Sequence, residues 1–211
     1  MSEADAKVAE QVKPKATKRS GVGRRRFLMG MLAGTGALVV CGAVRGSSDP
    51  FSVAEPSDIE GAFKPNAFIT ITPDDRVLFA LNKAEMGQGI MTGFAMLVAE
   101  ELEVPVDKLE VYFADGLPKY STVDRHSTGG SASIVGGYVP VRQVAAATRM
   151  MLVSAAAKMW NVDASTLRAE AGRVVDTSGT HAASYGELVE AAKLEEVPQE
   201  PVVKGRDEFS V

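Results

Sequence analysis

The stretch Ala84-Glu85-Met86-Gly87-Gln88-Gly89-Ile90-Met91-Thr92-Gly93 constrains this chain most, because it sets glycines and an amide at the mouth of an amphipathic helix. Gly87 and Gly89 allow a tight backbone turn and the close approach of a ligand to the main chain. Phe94, Leu97, Val98 and Leu102 follow at helical spacing and define a buried face. The first N–H groups of such a helix have no partner within it. They point back toward the glycines, where exposed donors favour an anion. Gln88 adds an amide that both donates and accepts. The same residues also describe a tight loop with a surface glutamine, and the two readings stand side by side at this point.

Around this turn the chain alternates between short strands and helices. Phe68–Ile71 and Val77–Leu81 are β-branched and aromatic runs flanking Thr72-Pro73-Asp74-Asp75-Arg76, which predicts a hairpin feeding the glycine turn. Val104-Pro105 stops the helix, and Leu109-Glu110-Val111-Tyr112-Phe113 alternates as a third strand with Leu109, Val111 and Phe113 inward. Ala114 to Gly137 is irregular and rich in small residues, including Ser127-Thr128-Gly129-Gly130-Ser131-Ala132-Ser133. Exposed backbone donors and hydroxyls there suit phosphate or another anion; a flexible Gly/Ser loop is the alternative. A long helix is predicted from Tyr138, with Pro140 in its first turn and a packed stripe of Val144, Thr148, Met151, Leu152, Ala155 and Met159. Its methionines read as core filler.

Asp163 caps a short turn, Leu167 to Asp176 forms a hairpin around Ala171-Gly172, and Ser184-Tyr185-Gly186-Glu187 is a capping box opening a helix through about Lys193. Val197 to Val211 reads as a connection leading onward. The expected fold class is α+β: a small mixed or antiparallel sheet with two main helices packed on it, behind a disordered N-terminal export signal.

The N-terminal part is different in kind. Residues 1–26 carry eight Lys/Arg against three Asp/Glu, leaving the rest of the chain at a net charge of −9. An acidic body disfavours nucleic acid as a partner. Residues 1–26 form a polar, basic region without a packing period, and residues 27–46 an uncharged segment ending at Arg45-Gly46 and diluted by glycine. Arg24-Arg25 followed by Phe27-Leu28 resembles a twin-arginine export signal, which implies the twin-arginine translocase as a partner and a periplasmic destination, in solution or at the inner membrane. A short membrane anchor is the alternative. Residues 47–64 read as a linker and 65–211 as the folded body. The single cysteine, Cys41, excludes a disulfide framework or an iron–sulfur cluster held by this chain alone. His126 and His181 lack metal-ligand spacing, so no metal site and no catalytic residue is assigned.

Glu85-Met86-Gly87-Gln88-Gly89 with Thr92, then Glu100-Glu101-Leu102 and Val104-Pro105, then Thr128-Gly129-Gly130-Ser131-Ala132-Ser133 before an Ala-rich helix, resemble the molybdopterin-binding subunit of the xanthine oxidase family. The closest likeness is to its isoquinoline 1-oxidoreductase branch, which includes exported aldehyde dehydrogenases. The resemblance implies that Gly87, Gln88 and Gly89 face the pterin and that Thr128, Gly129, Gly130, Ser131 and Ser133 serve its phosphate. It implies molybdopterin with molybdenum, in the cytosine dinucleotide form. Its implied partners are the remaining part of the molybdopterin subunit, a [2Fe-2S] subunit that holds the iron–sulfur cluster, and a cytochrome c subunit as acceptor. The family's Gly-Gly-x-Phe-Gly segment and the glutamate base in a Gly-Glu-Pro context do not occur in these residues. Glu85, Glu100 and Glu101 are poor substitutes, the first as part of the turn and the others on a helix face expected to be solvated. By resemblance the chain is the N-terminal part, or a split subunit, of an exported molybdenum hydroxylase that oxidises an aldehyde or N-heterocycle with water as the oxygen source. A noncatalytic exported binding or assembly module using the same loops is the second reading.

Overall fold

The computed structural model describes residues 59–121 and 125–210. The export segment with Arg24, Arg25, Phe27 and Leu28 lies outside them. Phe63, inside the stretch read as a linker, is buried and bridges to Ile71.

Strands β1 (Ile69–Ile71) and β2 (Val77–Leu81) pair antiparallel, Ile69 opposite Phe79 and Ile71 opposite Val77. Every residue of β2 is buried, as a central strand covered on both faces requires. Helix α1 (Ile90–Leu102) buries Phe94, Val98 and Leu102, the predicted face, and ends at Glu103 in left-handed backbone just before Pro105. Strand β3 (Leu109–Phe113) then pairs parallel with β2, Val77 opposite Leu109 and Leu81 opposite Phe113. Its burial departs from the expected alternation: Tyr112 is buried and Phe113 is 51% exposed. Where both faces of a sheet are covered, alternation no longer decides which side chains are inside.

Helix α2 (Ser133–Trp160) has 28 residues and begins five residues before Tyr138. Pro140 therefore lies inside the helix rather than in its first turn. It withholds an N–H from the carbonyl of Gly136, and Gly136 is exposed, so water reaches that carbonyl. Thr148, Met151, Leu152 and Ala155 are buried as expected, but Met159 is half exposed and is not core filler. Residues 152 and 159 share a helix face, so at the last turn it is the cover that ends, not the stripe.

The early start of α2 rests on a close helix contact. A Cβ on Gly137 would collide with Cζ of Phe94 and lie 3.1 and 3.2 Å from Cε2 and Cε1 of that ring. Gly137→Ala is expected to lose roughly 1–3 kcal/mol to overpacking, offset in part by about 1 kcal/mol of helix propensity. Thermal unfolding checks it, and an unchanged or raised midpoint would count against this contact.

A second sheet holds β4 (Leu167–Glu170), β5 (Arg173–Asp176) and β6 (Ala182–Ser184), antiparallel throughout. The β4–β5 turn places Ala171 (φ 49) and Gly172 (φ 79) both in left-handed backbone, as a two-residue type I′ hairpin demands. The Ser184 side chain accepts from the Glu187 N–H, and Glu187 answers on the Ser184 N–H, opening α3 (Tyr185–Ala192) with the predicted capping box. The Gly186 N–H donates to Asp75 Oδ1 at 2.6 Å, and the Tyr185 hydroxyl donates to the Leu102 carbonyl at 2.6 Å. These two bonds tie α3 to the β1–β2 turn and to the end of α1. Burial pushes the Tyr185 phenol far above its ordinary range. Among the described residues the architecture is α+β, with one mixed and one antiparallel sheet and two main helices.

Glu100 and Glu101 overturn the expectation of a solvated helix face. Both are buried. Glu101 Oε1 takes Arg142 Nε at 2.8 Å, its Oε2 lies 3.6 Å from an Arg149 guanidinium nitrogen, and both oxygens accept from the Lys204 backbone N–H. Lys204 Nζ pairs with Glu100 at 2.6 Å and with Glu103. Burial opposes the charge on Lys204, but its bonds to Glu100 and Glu103 prevail and raise its pKa. The segment around Lys204 is thus strapped onto α1 by ion pairs and onto α2 by hydrogen bonds from Arg142 and Arg149 to the Lys204 and Val202 carbonyls, contacts that no local pattern reveals.

Candidate cofactor cleft

Both loops singled out in the sequence leave the sheet at the carboxyl ends of parallel neighbours. Residues 82–89 follow β2, and residues 114–132 follow β3. Since β2 and β3 are hydrogen-bonded and run the same way, their exits lie side by side. Ligand sites form outside the carboxyl ends of parallel strands for this reason.

The two residues just after β2 hold the second loop in place. Asn82 Nδ2 donates to the Tyr120 carbonyl at 2.9 Å. Lys83, 4% exposed, donates from Nζ to the carbonyls of Arg125 and Ser127, the latter at 3.2 Å. The Ala84 N–H donates to Thr128 Oγ1 at 2.8 Å, joining the two loops directly.

Between them lies a cleft of about 480 Å³. Gln88 and Gly89 line one wall; Thr128, Gly129, Gly130, Ser131 and Ser133 line the other. Gly87 sits on the turn itself and is not part of the lining. Met86, Ile90 and Ile134 supply apolar surface, and no lining residue carries a charged side chain. The sequence-predicted residues other than Gly87 therefore meet in one cleft, although about forty positions separate the two walls.

The glycine turn is satisfied from within. Glu85 Oε1 accepts from the N–H groups of Gly87 (2.8 Å) and Gly89 (3.1 Å), and Oε2 accepts from the Met91 N–H (3.0 Å). Bonds from the Met91, Gly89 and Gly87 N–H groups hold the Glu85 carboxyl below the usual carboxylate range. Gln88 closes the same turn, donating from Nε2 to the Ala84 carbonyl and accepting on Oε1 from the Met86 N–H, each at 2.7 Å. One amide hydrogen and one lone pair remain for a ligand. Gly89 adopts φ 79 as the residue preceding α1, a backbone that side-chain-bearing residues rarely take. The open anion site expected at this helix mouth is thus already occupied by the chain's own carboxylate.

At the mouth of α2, among the described residues, no side chain takes the part that Glu85 takes at α1: its N-cap residue makes no side-chain bond and its first turn carries no acidic residue. Gly130 and Ser131 take consecutive left-handed conformations (φ 61 and 53) ahead of it. Hydroxyls of Thr128, Ser131 and Ser133 border the same space.

Asn82, Lys83 and Glu85 are the positioning residues that sequence reasoning missed. A polar pair directly after five apolar strand residues marks where a chain leaves its sheet, and an acidic residue just before a helix start is a typical partner for its first-turn donors. The contacts Asn82 and Lys83 make, some 38 to 44 positions away, leave no local signal.

The molybdopterin cofactor-binding domain family model matches residues 3–209. The chain is 33% identical over 178 residues to a membrane-bound aldehyde dehydrogenase (pyrroloquinoline-quinone) of Gluconacetobacter polyoxogenes, covering 82% of this chain and 22% of that protein. It is 30% identical over 191 residues to isoquinoline 1-oxidoreductase subunit beta of Brevundimonas diminuta, covering 88% of this chain and 24% of that one. Among solved structures, quinoline 2-oxidoreductase from Pseudomonas putida 86 aligns with a TM-score of 0.48 at 20% identity, over 60% of this chain and 16% of that one. The chain spans about a quarter of the length of the curated relatives it matches.

Proposed function

Because the chain belongs to the molybdopterin cofactor-binding domain family, we propose that it supplies part of the cofactor cradle of a molybdenum hydroxylase. The observation that carries this reading is the single neutral cleft in which Gln88 and Gly89 face Thr128, Gly129, Gly130, Ser131 and Ser133. Its chemistry fits a phosphorylated heterocycle: apolar surface for a flat ring, amide and backbone groups for its polar edge, and hydroxyls with an uncapped helix mouth for the phosphate. When bound, molybdopterin supplies the metal at which a substrate carbon is oxidised with oxygen from water. This chain's residues bind and orient: the remaining donor and acceptor of Gln88 meet the pterin edge, and Lys83 and Asn82 keep the second wall in register.

The fuller reading follows the chain's likeness to its relatives. The cofactor is the cytosine dinucleotide form, shared with the rest of the molybdopterin subunit, and the substrate is an aldehyde or an N-heterocycle. Electrons pass to a [2Fe-2S] subunit and then to a cytochrome c subunit. Arg24 and Arg25 direct export through the twin-arginine translocase to the periplasm.

Coexpression with the neighbouring reading frames, followed by molybdenum and pterin analysis of the purified complex, tests the proposal. Pyrroloquinoline quinone is measured alongside, since one relative carries it in its name. A complex holding molybdenum and pterin is the expected result. A folded complex without either overturns it in favour of a noncatalytic exported binding module. In a titrated reconstitution, Gln88→Ala is expected to weaken retention by roughly 0.5–1.5 kcal/mol, the value of about one hydrogen bond. Unchanged occupancy would remove Gln88 from the ligand set.

A further inference from the structure

The two edges of the first sheet are finished differently. Its order is β1-β2-β3, and beyond β1 the Phe63 backbone exchanges two hydrogen bonds with Ile71, at 2.7 and 2.9 Å. Beyond β3, none of the described residues pairs with the strand. The Ala114 N–H donates to the Leu81 carbonyl, which sets the phase of the β2–β3 ladder. Glu110 and Tyr112 turn their backbone groups toward β2, and Val111 and Phe113 turn theirs outward. The Leu109 N–H is taken by the Val106 carbonyl.

Nothing in the sequence of β3 defends that outward row. Exposed edges are ordinarily blunted by Lys, Pro or a bulge. β3 holds neither Lys nor Pro, and its register with β2 runs unbroken from Leu109 to Phe113. Its one charged residue, Glu110, is committed to Arg76 through bonds of 2.8 and 2.6 Å. Phe113 is 51% exposed and Leu117, four residues on, 46%, so apolar surface continues past the end of the strand.

We propose that the outer edge of β3 receives an extended segment from the remaining part of the molybdopterin subunit, which joins the sheet as a fourth strand beside Val111 and Phe113. The edge selects an extended backbone, because only that presents N–H and C=O groups in a matching row. The source follows from length: relatives matched over 82% and 88% of this chain are covered over only 22% and 24% of their own. Most of each relative is therefore sequence with no counterpart in these residues. Phe113 directly precedes the loop that forms the second wall of the cleft. Whichever way the added strand runs, it passes the root of that wall and brings the rest of the subunit to the cofactor cleft. The inference rests on the larger subunit argued under Proposed function.

Amide hydrogen exchange at Val111 and Phe113 is measured in the full 211-residue chain and in the complex purified after coexpression with the neighbouring reading frames. Exchange is expected to be fast in the chain alone and at least about tenfold slower in the complex. The Glu110 and Tyr112 amides, already bonded to β2, should be slow in both. Val111→Pro removes the outward N–H without taking a bond from β2; it is expected to leave the chain folded and to abolish copurification, which Val111→Ala retains. The exchange measurement needs no variant and decides the matter if Val111→Pro fails to fold. Fast exchange at both amides in the complex overturns the proposal, as does a folded Val111→Pro chain that copurifies undiminished, or the absence of any copurifying product of those frames. Slow exchange in the chain alone overturns it too: protection that survives dilution assigns the edge to the chain's own residues, and protection lost on dilution assigns it to a second copy. A complex protected at both amides but free of molybdenum and pterin supports the strand pairing and overturns the cofactor reading, so the two failures are told apart.

Discussion

Glu101→Ala is expected to cost about 3–5 kcal/mol, the range for breaking a buried ion pair from one side. The Glu101 side chain is fully buried, and the Arg142 and Arg149 side chains around it are only 9% and 16% exposed. Truncation removes the shared acceptor of Arg142 Nε and the Lys204 N–H, leaving a guanidinium with little water and no carboxylate. Arg142 keeps its contacts over the Tyr138 and Phe209 rings, at 5.1 and 5.0 Å. These do not replace an anion, because even a desolvated cation–π contact is worth only about 2 kcal/mol. Urea unfolding gives the free energy, and limited proteolysis gives the location: cleavage near Lys204 should appear in the variant before the body unfolds. A loss under about 1 kcal/mol, the ordinary range for surface pairs, would mean that the cluster is solvated in solution.

The second large effect is expected at Gly186. A Cβ there would stand 2.6 Å from the Pro73 carbonyl oxygen, 2.7 Å from Asp75 Oδ1 and 2.9 Å from the Asp75 backbone nitrogen. Two of these neighbours are backbone in the turn between β1 and β2, where Asp75 already holds a left-handed φ of 64. A side chain could swing away; this turn cannot. Overpacking contributes roughly 1–3 kcal/mol, and loss of the charge-assisted bond from the Gly186 N–H to Asp75 adds about 1.5–3 kcal/mol. Gly186→Ala should therefore fall well below Gly137→Ala in thermal stability, since the Phe94 ring facing Gly137 can tilt. Equal midpoints for the two variants would contradict this ranking.

What the sequence revealed was chemistry that acts over a few residues. The Ser184 capping box, the Ala171-Gly172 hairpin turn, the Val104-Pro105 stop and the two small-residue loops are local devices, and each appears where its residues predict. What stayed hidden depends on partners far along the chain. Glu101 finds Arg142 at 41 positions and Lys204 at 103, so its helix face looked solvated. The start of α2 was misplaced because Gly136-Gly137 and Pro140 weigh against a helix interior, while the contact of Gly137 with Phe94 requires one. Tyr112 and Phe113 exchanged roles because a sheet covered on both sides gives alternation little authority. Glu85 was read as part of the turn; its service to three N–H groups became visible only with the backbone folded.

The parallel pairing of β2 with β3 fixes more than topology. The walls of the cleft are rooted in adjacent strands, so their separation at the base is set by the inter-strand spacing of about 4.8 Å and not by the length of either loop. Insertions or deletions in residues 114–132 would deepen or shorten one wall while leaving the gauge of the cleft alone. A slip of β3 by a single residue against β2 would do the reverse, turning every β3 side chain to the opposite face and shifting one wall along the other. Tolerance to length and intolerance to register are the signature to look for in a library of variants of this chain.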